Sequence, residues 1–397
     1  MMSVWSSLVG QDAAVAKLSE AAASARAIVA SRGSGRASDE ARSMSHAWLI
    51  TGPPGSGRSV AARAFAAALQ CTGATPGCGQ CPGCRTTMGR TNADVLFAAT
   101  ETSIINVDTA RSLVLQAQSS PSQGLWRVIV VEDADRLGES GANALLKAIE
   151  EPPEHTVWLL CAPSPEDMIA TIRSRCRHLG LRIPTATAVA DLLVREGVAT
   201  PEVALEAARA AQSHIGLARA LARDPQMRER RRNIVTAPAS VRSVGEAVMA
   251  ADRLLETAKA QADAQVADRN AREKADLLRQ LGMEEGESAT KASRAMLRQL
   301  EEDQKRRSKR ALTDAIDRAL IDLLAIYRDV LMVQVGGDSE LINTDLSELV
   351  HQIAHDSTPH QTLARVDHIE TARKRLVANG NPLLVLEDMA ISLRPQA

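Results

Sequence analysis

The octapeptide Gly52-Pro53-Pro54-Gly55-Ser56-Gly57-Arg58-Ser59 stands between a continuous apolar run, His46-Ala47-Trp48-Leu49-Ile50, and an Ala-rich helical segment, Val60 to Leu69. It restricts the fold more than any other stretch of the chain. The pattern matches the phosphate-binding loop G-x-x-x-x-G-K-[ST] at every fixed position but one, where Arg58 replaces lysine. Glycines let backbone N–H groups converge on a phosphate, and the start of the following helix adds positive potential. Lysine is a compact point charge that reaches β- and γ-phosphates, whereas a guanidinium is wider and planar. The plain alternative is an ordinary Gly-rich turn between a strand and a helix. Most cationic side chains of the chain are Arg, so the single exchange also fits compositional drift.

Three further apolar runs follow: Val95-Leu96-Phe97, Val128-Ile129-Val130-Val131 and Thr156-Val157-Trp158-Leu159-Leu160-Cys161. They are continuous rather than alternating, as strands buried on both faces require. Helix-length segments separate them, which predicts βαβ units and a parallel sheet closing near Pro184. From Val189 to Asp224 the pattern turns helical and Ala-rich, and beyond Val241 it remains helical. Two charged arms flank a break at Gly282-Met283-Glu284-Glu285-Gly286-Glu287, predicting a solvated helical hairpin. Leu312, Ile316, Leu320, Leu323, Leu324, Tyr327 and Leu331 then form a stripe at helical spacing, either core or subunit interface, ended by Gly336-Gly337. Ser31 to Ser45 reads as a polar loop. A chain of 397 residues accommodates two or three such domains.

Composition excludes several function classes. With 45% hydrophobic and 24% charged residues and a net charge of −1, the chain reads as soluble and globular, not as a bulk-basic nucleic-acid binder. Aromatics at 2% are too few for a base-stacking platform. No apolar run reaches the ~18 residues of a membrane span. No secretory signal pattern opens the chain, so a cytoplasmic location is expected.

Val128 to Val131 runs into Glu132-Asp133, like the strand that carries the metal-holding and water-polarising acids of nucleotide hydrolases. Active ATPases of this class have Asp then Glu; here the order is reversed, and Asp133 reaches one methylene less far. A strand ending in solvated carboxylates is the plain alternative. Six cysteines in so long a chain do not make a disulfide scaffold. Cys71, Cys78, Cys81 and Cys84, spaced C-x6-C-x2-C-x2-C, suit a closed tetrahedral structural zinc, with an iron–sulfur cluster as the competing group. Gly79 and Pro82-Gly83 supply the turns that let the ligands converge. Cys161 and Cys176 lie outside the cluster and read as small buried hydrophobes. Arg175, in Ser174-Arg175-Cys176, taken alone reads as a surface arginine. The run Lys305-Arg306-Arg307-Ser308-Lys309-Arg310 could meet DNA phosphate. More often such a run is a solvated helix face, here pairing with Glu301, Glu302 and Asp303, whose acids offset its charge.

Taken in order, Val9-Gly10-Gln11, the phosphate loop, the four cysteines, Glu132-Asp133, Asn143-Ala144-Leu145-Leu146-Lys147-Ala148-Ile149-Glu150-Glu151-Pro152-Pro153 and Ser174-Arg175-Cys176 resemble the bacterial clamp-loader subunits of DNA polymerase III. Arg58, the Glu-Asp order and the helical insertion resemble the delta-prime type, in its actinobacterial form in particular. The likeness is strong over about residues 4 to 225. It implies an α/β AAA+ P-loop domain with a parallel sheet over 1–184, carrying a zinc knuckle at 71–84. A three-helix lid over 185–240 and an all-α collar over 241–397 would follow, with a charged hairpin around 250–310. It implies partners too: tau/gamma and delta subunits in a five-subunit arc that uses ATP to place a sliding clamp on primer-template DNA. Residue by residue, it implies Arg175 as an arginine acting in trans on a neighbour's ATP. It places ATP or ADP near Gly52, Gly55, Ser56, Gly57, Arg58, Ser59, Glu132, Asp133 and the lid arginine Arg219. The polar residue usual after the fourth strand of active subunits is absent, since Ala162-Pro163 stand there. Three departures in one direction point to a subunit without hydrolysis of its own. The rival reading is a working AAA+ ATPase, a tau/gamma-like subunit or a DNA motor. A third is a zinc-dependent nucleic-acid module, for which Arg85 and Arg90 are the nearby cations.

Overall fold

The computed structural model describes residues 3–31, 43–98, 105–281, 291–337 and 340–394. The chain divides into two compact units, Met1–Arg219 and Ala220–Ala397. Most of the polar loop Ser31–Ser45 and the break at Gly282–Glu287 lie outside the described residues.

The first unit runs α1 (Asp12–Ala30), β1 (Ala47–Thr51), α2 (Arg58–Leu69), α3 (Pro82–Met88), β2 (Val95–Ala98), α4 (Val107–Ala117) and β3 (Arg127–Val131). It continues through α5 (Glu139–Glu150), β4 (Thr156–Ala162), α6 (Ala170–Arg173), β5 (Arg177–Gly180), α7 (Ala186–Arg195) and α8 (Pro201–Ala210) into α9 (Ile215–Arg223). The five strands form one parallel sheet in the order β2-β3-β4-β1-β5. Trp48, Ile50, Val128, Val130 and Leu159 face one core, where Trp48 meets Phe65 of α2 edge-on with ring centroids 5.2 Å apart. Leu49, Ile129, Val131, Trp158 and Leu160 face a second core, built with Leu113 of α4 and Leu145 and Ile149 of α5. Two covered faces explain why these strands read as unbroken apolar runs. The parallel sheet, with a glycine-rich loop between β1 and α2, is the α/β architecture expected.

Two local features depart from the sequence pattern. β5 pairs only with β1, and in Arg177-His178-Leu179-Gly180 only Leu179 is buried, so an edge strand hides behind a polar sequence. The segment Glu166 to Arg173, whose sequence reads as one helix leading to Ser174-Arg175-Cys176, is interrupted. A 3-10 turn at Pro165–Asp167, closed by the Ser164–Asp167 capping box, gives way to extended Met168 and Ile169 before α6.

A buried carboxylate fixes the approach to β3. Asp94 accepts from the backbone N–H of Ser122 at 2.7 Å, Gln123 at 2.8 Å and Gly124 at 2.6 Å, and from the Ser122 hydroxyl at 3.0 Å. Burial alone would raise its pKa, but these backbone donors outweigh burial and hold the carboxyl below the usual range.

The regular elements of the second unit, among the described residues, are all helices: α10 (Pro225–Ser240), α11 (Val244–Leu281), α12 (Lys291–Gln334), α13 (Ser347–His355), α14 (Pro359–Val377) and α15 (Pro382–Ser392). Ile316, Leu320, Leu323 and Tyr327 of α12 pack with Leu255, Val350, Ile369 and Leu386, so the expected stripe is the core of this unit. Gly336, at φ +67°, ends α12 as the glycine pair predicts. α11 and α12, with 38 and 44 residues, are about 57 and 66 Å long at 1.5 Å per residue. Along their seam Ala262 and Val266 of α11 pack with Ala311 of α12, while Ala251, Leu255 and Ala258 of α11 join the core of the unit. Farther out the seam turns polar: Arg307 donates to Asn270 Oδ1 at 2.7 Å and to Glu273 at 2.8 Å.

Candidate functional site

The loop Gly52–Ser59 leaves the C-terminal end of β1, which lies inside the sheet between β4 and β5. Gly52 N–H donates to Pro163 O just past β4, at 3.1 Å, and Ser56 N–H to Pro53 O at 3.1 Å. Gly55 and Gly57 both take φ +89°, a left-handed conformation that favours glycine, and Gly57 caps α2. Gln11, 5% exposed, ties the loop down. Its amide donates to Ser56 O at 3.3 Å and to Arg182 O at 2.5 Å, and its oxygen accepts from Arg182 N–H at 3.2 Å. A Cβ on Gly55 would lie 3.0 Å from His214 Cα, so the turn before α9 closes over the loop.

Ser56 Oγ and Arg58 Nη1 are buried without a hydrogen-bond partner among the described residues. Orphaned donors at a helix start suit an anion. Arg58, Glu132 and Asp133 all lie close enough to Cys161 to act on it electrostatically, although burial dominates and pushes that thiol up to about 12. The loop and the acids after β3 therefore converge at one edge of the sheet. Glu132, however, is engaged: Arg90, which follows α3 with φ +58°, donates to Glu132 Oε1 at 2.6 Å and lies 5.1 Å over the Phe97 ring. Arg63 of α2 faces the same pair, its pKa lowered first by burial and then by Arg90. Asp133 begins the 3-10 turn Ala134–Arg136.

Arg175 follows α6 and turns back on its own unit. Its Nε and Nη2 contact Glu150 Oε1 at the end of α5, and Nη1 donates to Thr171 O at 2.8 Å and Ser174 Oγ at 3.3 Å. Arg219 forms a bidentate pair with Glu196 at the end of α7, at 2.8–3.0 Å, and so is held by a carboxylate of its own unit. Cys176 is half-buried against the second core, and the loss of solvent pushes its thiol up to about 12.

The sulfur atoms of Cys71, Cys78, Cys81 and Cys84 all lie within 4.8 Å of one another, and Cys71 and Cys81 are 3.8 Å apart. Four thiolates at ~2.3 Å from one tetrahedral ion would stand about 3.8 Å apart, so the set fits a metal ion with no ligand position to spare. Cys78 Sγ accepts from the N–H of Gln80 and Cys81, and Cys81 Sγ from that of Cys84. Burial opposes the Cys81 thiolate, but the N–H groups of Cys84 and Thr72 bring that thiol down to about 6. Cys84 is held up by burial, so loading a cation would displace its proton. The knuckle is fixed from outside by Arg26 of α1, which donates to Ala74 O at 2.8 Å and Cys71 O at 2.9 Å.

Most of the basic run in α12 is occupied. Arg306 lies 3.7 Å from Glu302 and 3.6 Å from Asp303, Arg307 pairs with Glu273, and Arg310 lies 3.7 Å from Asp314. Lys309 donates to Asn379 Oδ1 at 3.3 Å. Such pairing favours a solvated helix face over a phosphate track.

Glu196 and His214 had no motif role in the sequence; Gln11 and Glu150 stood inside quoted motifs and Arg90 beside the cysteines, but nothing in the sequence paired them with the loop, with Arg175 or with Glu132. Arg90 lies 42 positions from Glu132 and Glu150 lies 25 from Arg175, separations that no local spacing rule connects. The left-handed backbone at Arg90 was the one local signal available, and it is conformational rather than legible in residue type.

A family model described as "DNA polymerase III, delta subunit" matches residues 36–185. The gamma/tau subunit of DNA polymerase III from Mycobacterium tuberculosis is 36% identical over 162 residues, 39% of this chain and 28% of that protein. The delta' subunit from Pseudomonas aeruginosa is 35% identical over 165 residues, covering 41% and 50%. The delta' subunit from Escherichia coli is 34% identical over 180 residues, covering 44% and 54%. The chain thus spans between 28% and 54% of the length of these relatives. The resemblance drawn from the motifs is borne out in these matches.

Proposed function

We propose, from its kinship to delta-prime-type clamp-loader subunits of DNA polymerase III, that this chain is the delta-prime subunit of a bacterial clamp loader. It helps to place a sliding clamp on primed DNA while hydrolysing little or no ATP itself. The observation that carries this reading is the ion pair between Arg90 and Glu132. The carboxylate that would hold a magnesium ion is already neutralised by a guanidinium of the same chain. Arg58 in the lysine position and Ala162-Pro163 after β4 support the same conclusion. Phosphoryl transfer rests on positioning and charge stabilisation, so losing several such groups removes most of the rate. The orphaned Ser56 Oγ and Arg58 Nη1 favour retained binding of ATP or ADP by the loop.

In this reading Arg175 is presented across a subunit boundary to the γ-phosphate of a neighbour's ATP, where its charge stabilises the transition state. Arginines in that role contribute about 10³–10⁵ in rate at the site they serve. The partners are tau/gamma and delta subunits, with clamp and primer-template DNA reached through the complex. The domains are a nucleotide-binding-type module over 1–184, a lid over 185–240 and a collar over 241–397. Cys71, Cys78, Cys81 and Cys84 would hold a structural zinc, which supplies cross-linking rather than catalysis because every ligand position is taken. No helix among the described residues is long and apolar enough to cross a membrane, and a cytoplasmic location follows from the proposed role.

The test is reconstitution with Arg175→Ala. Assembly should be unchanged, while the DNA- and clamp-stimulated ATPase falls in part, because other ATP sites draw arginines from other subunits. Full wild-type ATPase and clamp loading by an intact mutant complex would refute the role. Brisk turnover by the isolated chain, abolished by changing Arg58, would favour the rival reading.

A further inference from the structure

Arg175 offers all three guanidinium nitrogens to its own unit. Nε and Nη2 meet Glu150, and Nη1 meets Thr171 O and Ser174 Oγ. A side chain bent back in this way is not extended toward a neighbour. Glu150 closes α5, where a carboxylate sits against the negative end of the helix and gains from a nearby cation. The pair is accessible, with side-chain exposures of 37% and 42%, so water screens it and the bond is weak enough to exchange.

We propose that Glu150 is a catch for Arg175: a carboxylate that occupies the arginine until a neighbour's γ-phosphate displaces it. This rests on the trans-acting role of Arg175. A phosphate carries more charge and more acceptor oxygens than one carboxylate, and an arginine fork can grip it bidentately. The exchange is therefore favourable only when the phosphate is in place. With no nucleotide opposite, the catch keeps Arg175 off the boundary. Glu150 is thus a positioning residue that acts through Arg175 and touches no reacting atom.

Glu150→Gln keeps the shape and one acceptor oxygen but removes the charge. Exposed ion pairs are worth a factor of roughly 1.4–5 in an equilibrium. At the one site that Arg175 serves, the DNA-free ATPase should therefore rise by about that factor, the complex as a whole by less, with KM for ATP at that site lowered because the γ-phosphate no longer competes with Glu150. In an Arg175→Ala background the same substitution should change nothing. Glu150→Asp retains the charge on a shorter arm and should lie between wild type and Glu150→Gln, an order that a merely structural role would not produce. In the full chain alone, the Arg175 Nε–H should exchange with solvent faster in Glu150→Gln than in wild type. If Arg175→Ala lowers the ATPase while Glu150→Gln leaves both ATPase and exchange unchanged, the catch is refuted and the trans-acting arginine stands. If Glu150→Gln lowers the rate as Arg175→Ala does, Glu150 presents the arginine rather than withholding it, and the catch is again refuted. If Arg175→Ala has no effect, both ideas fall together.

Discussion

Gln11 makes three hydrogen bonds to main-chain groups 45 and 171 positions away, and all three are lost in Gln11→Ala. Ser56 O, on a buried residue, would then be left short of a partner, while water can reach the main chain of exposed Arg182; an unsatisfied buried group costs about 1–3 kcal/mol. Gln11→Ala should lower the stability of the first unit by that order, read as a reduced urea midpoint with an unchanged slope. Asp94 carries a pH dependence. Its folded pKa is depressed, so its contribution is complete above the unfolded value of about 3.9 and disappears as pH falls through the folded value below that. Asp94→Asn should be less stable than wild type near neutrality, with the gap narrowing below about pH 4. Urea titrations at a series of pH values check this, and a constant gap down to strong acid would mean that the carboxylate's charge is not what holds the turn. At this scale the motif residues were legible in the sequence, but their partners were not. Glu196 and Arg90 are ordinary charged residues, and Glu150 one residue of a longer motif, until the fold brings them to Arg219, Glu132 and Arg175.

Among the elements, the knuckle depends most on one close approach. A Cβ on Gly83, at the start of α3, would lie 2.0 Å from Gln70 O at the end of α2. Gly83→Ala must therefore push α3 away and pull Cys81 and Cys84 from Cys71. Overpacking of this kind costs about 1–3 kcal/mol. The expected outcome is lower stability and faster loss of zinc to a chelator, measured by metal release and urea unfolding; zinc retention equal to wild type would show that the ligands converge without that contact. The four expected strands were legible because both sheet faces are covered, which leaves every inner position apolar. β5 was not, since an edge strand with one buried residue has no apolar run to read. The interruption before α6 has no signature in the sequence, because Ser164 and Asp167 close a turn that composition alone does not distinguish from a helix start. In the hairpin, the small-residue seam and the Asn270–Glu273–Arg307 layer account for a long charged pair of helices with few large apolar residues.

For the whole molecule, two compact units with separate cores predict separable unfolding. Calorimetry should resolve two transitions, and a chelator should shift only the one belonging to the first unit, which holds all four clustered cysteines. One cooperative transition, moved as a whole by the chelator, would contradict that division. The helical character of the second unit was plain from its periodicity, but the position of the division, inside α9, was not, because an unbroken helical pattern crosses it. The glycine loop has a consequence for how such chains drift. A side chain at position 52 would meet Ser56 Oγ at 2.5 Å and Leu181 O at 2.9 Å, one at position 55 would meet His214, and position 57 is held at φ +89°. Folding alone therefore penalises replacement of Gly52, Gly55 or Gly57, whether or not any phosphate is ever cleaved. Position 58, already inside α2, has no such backbone demand. The glycine pattern is therefore demanded by the shape of the loop with or without catalysis, whereas the side chain at position 58 answers to chemistry alone.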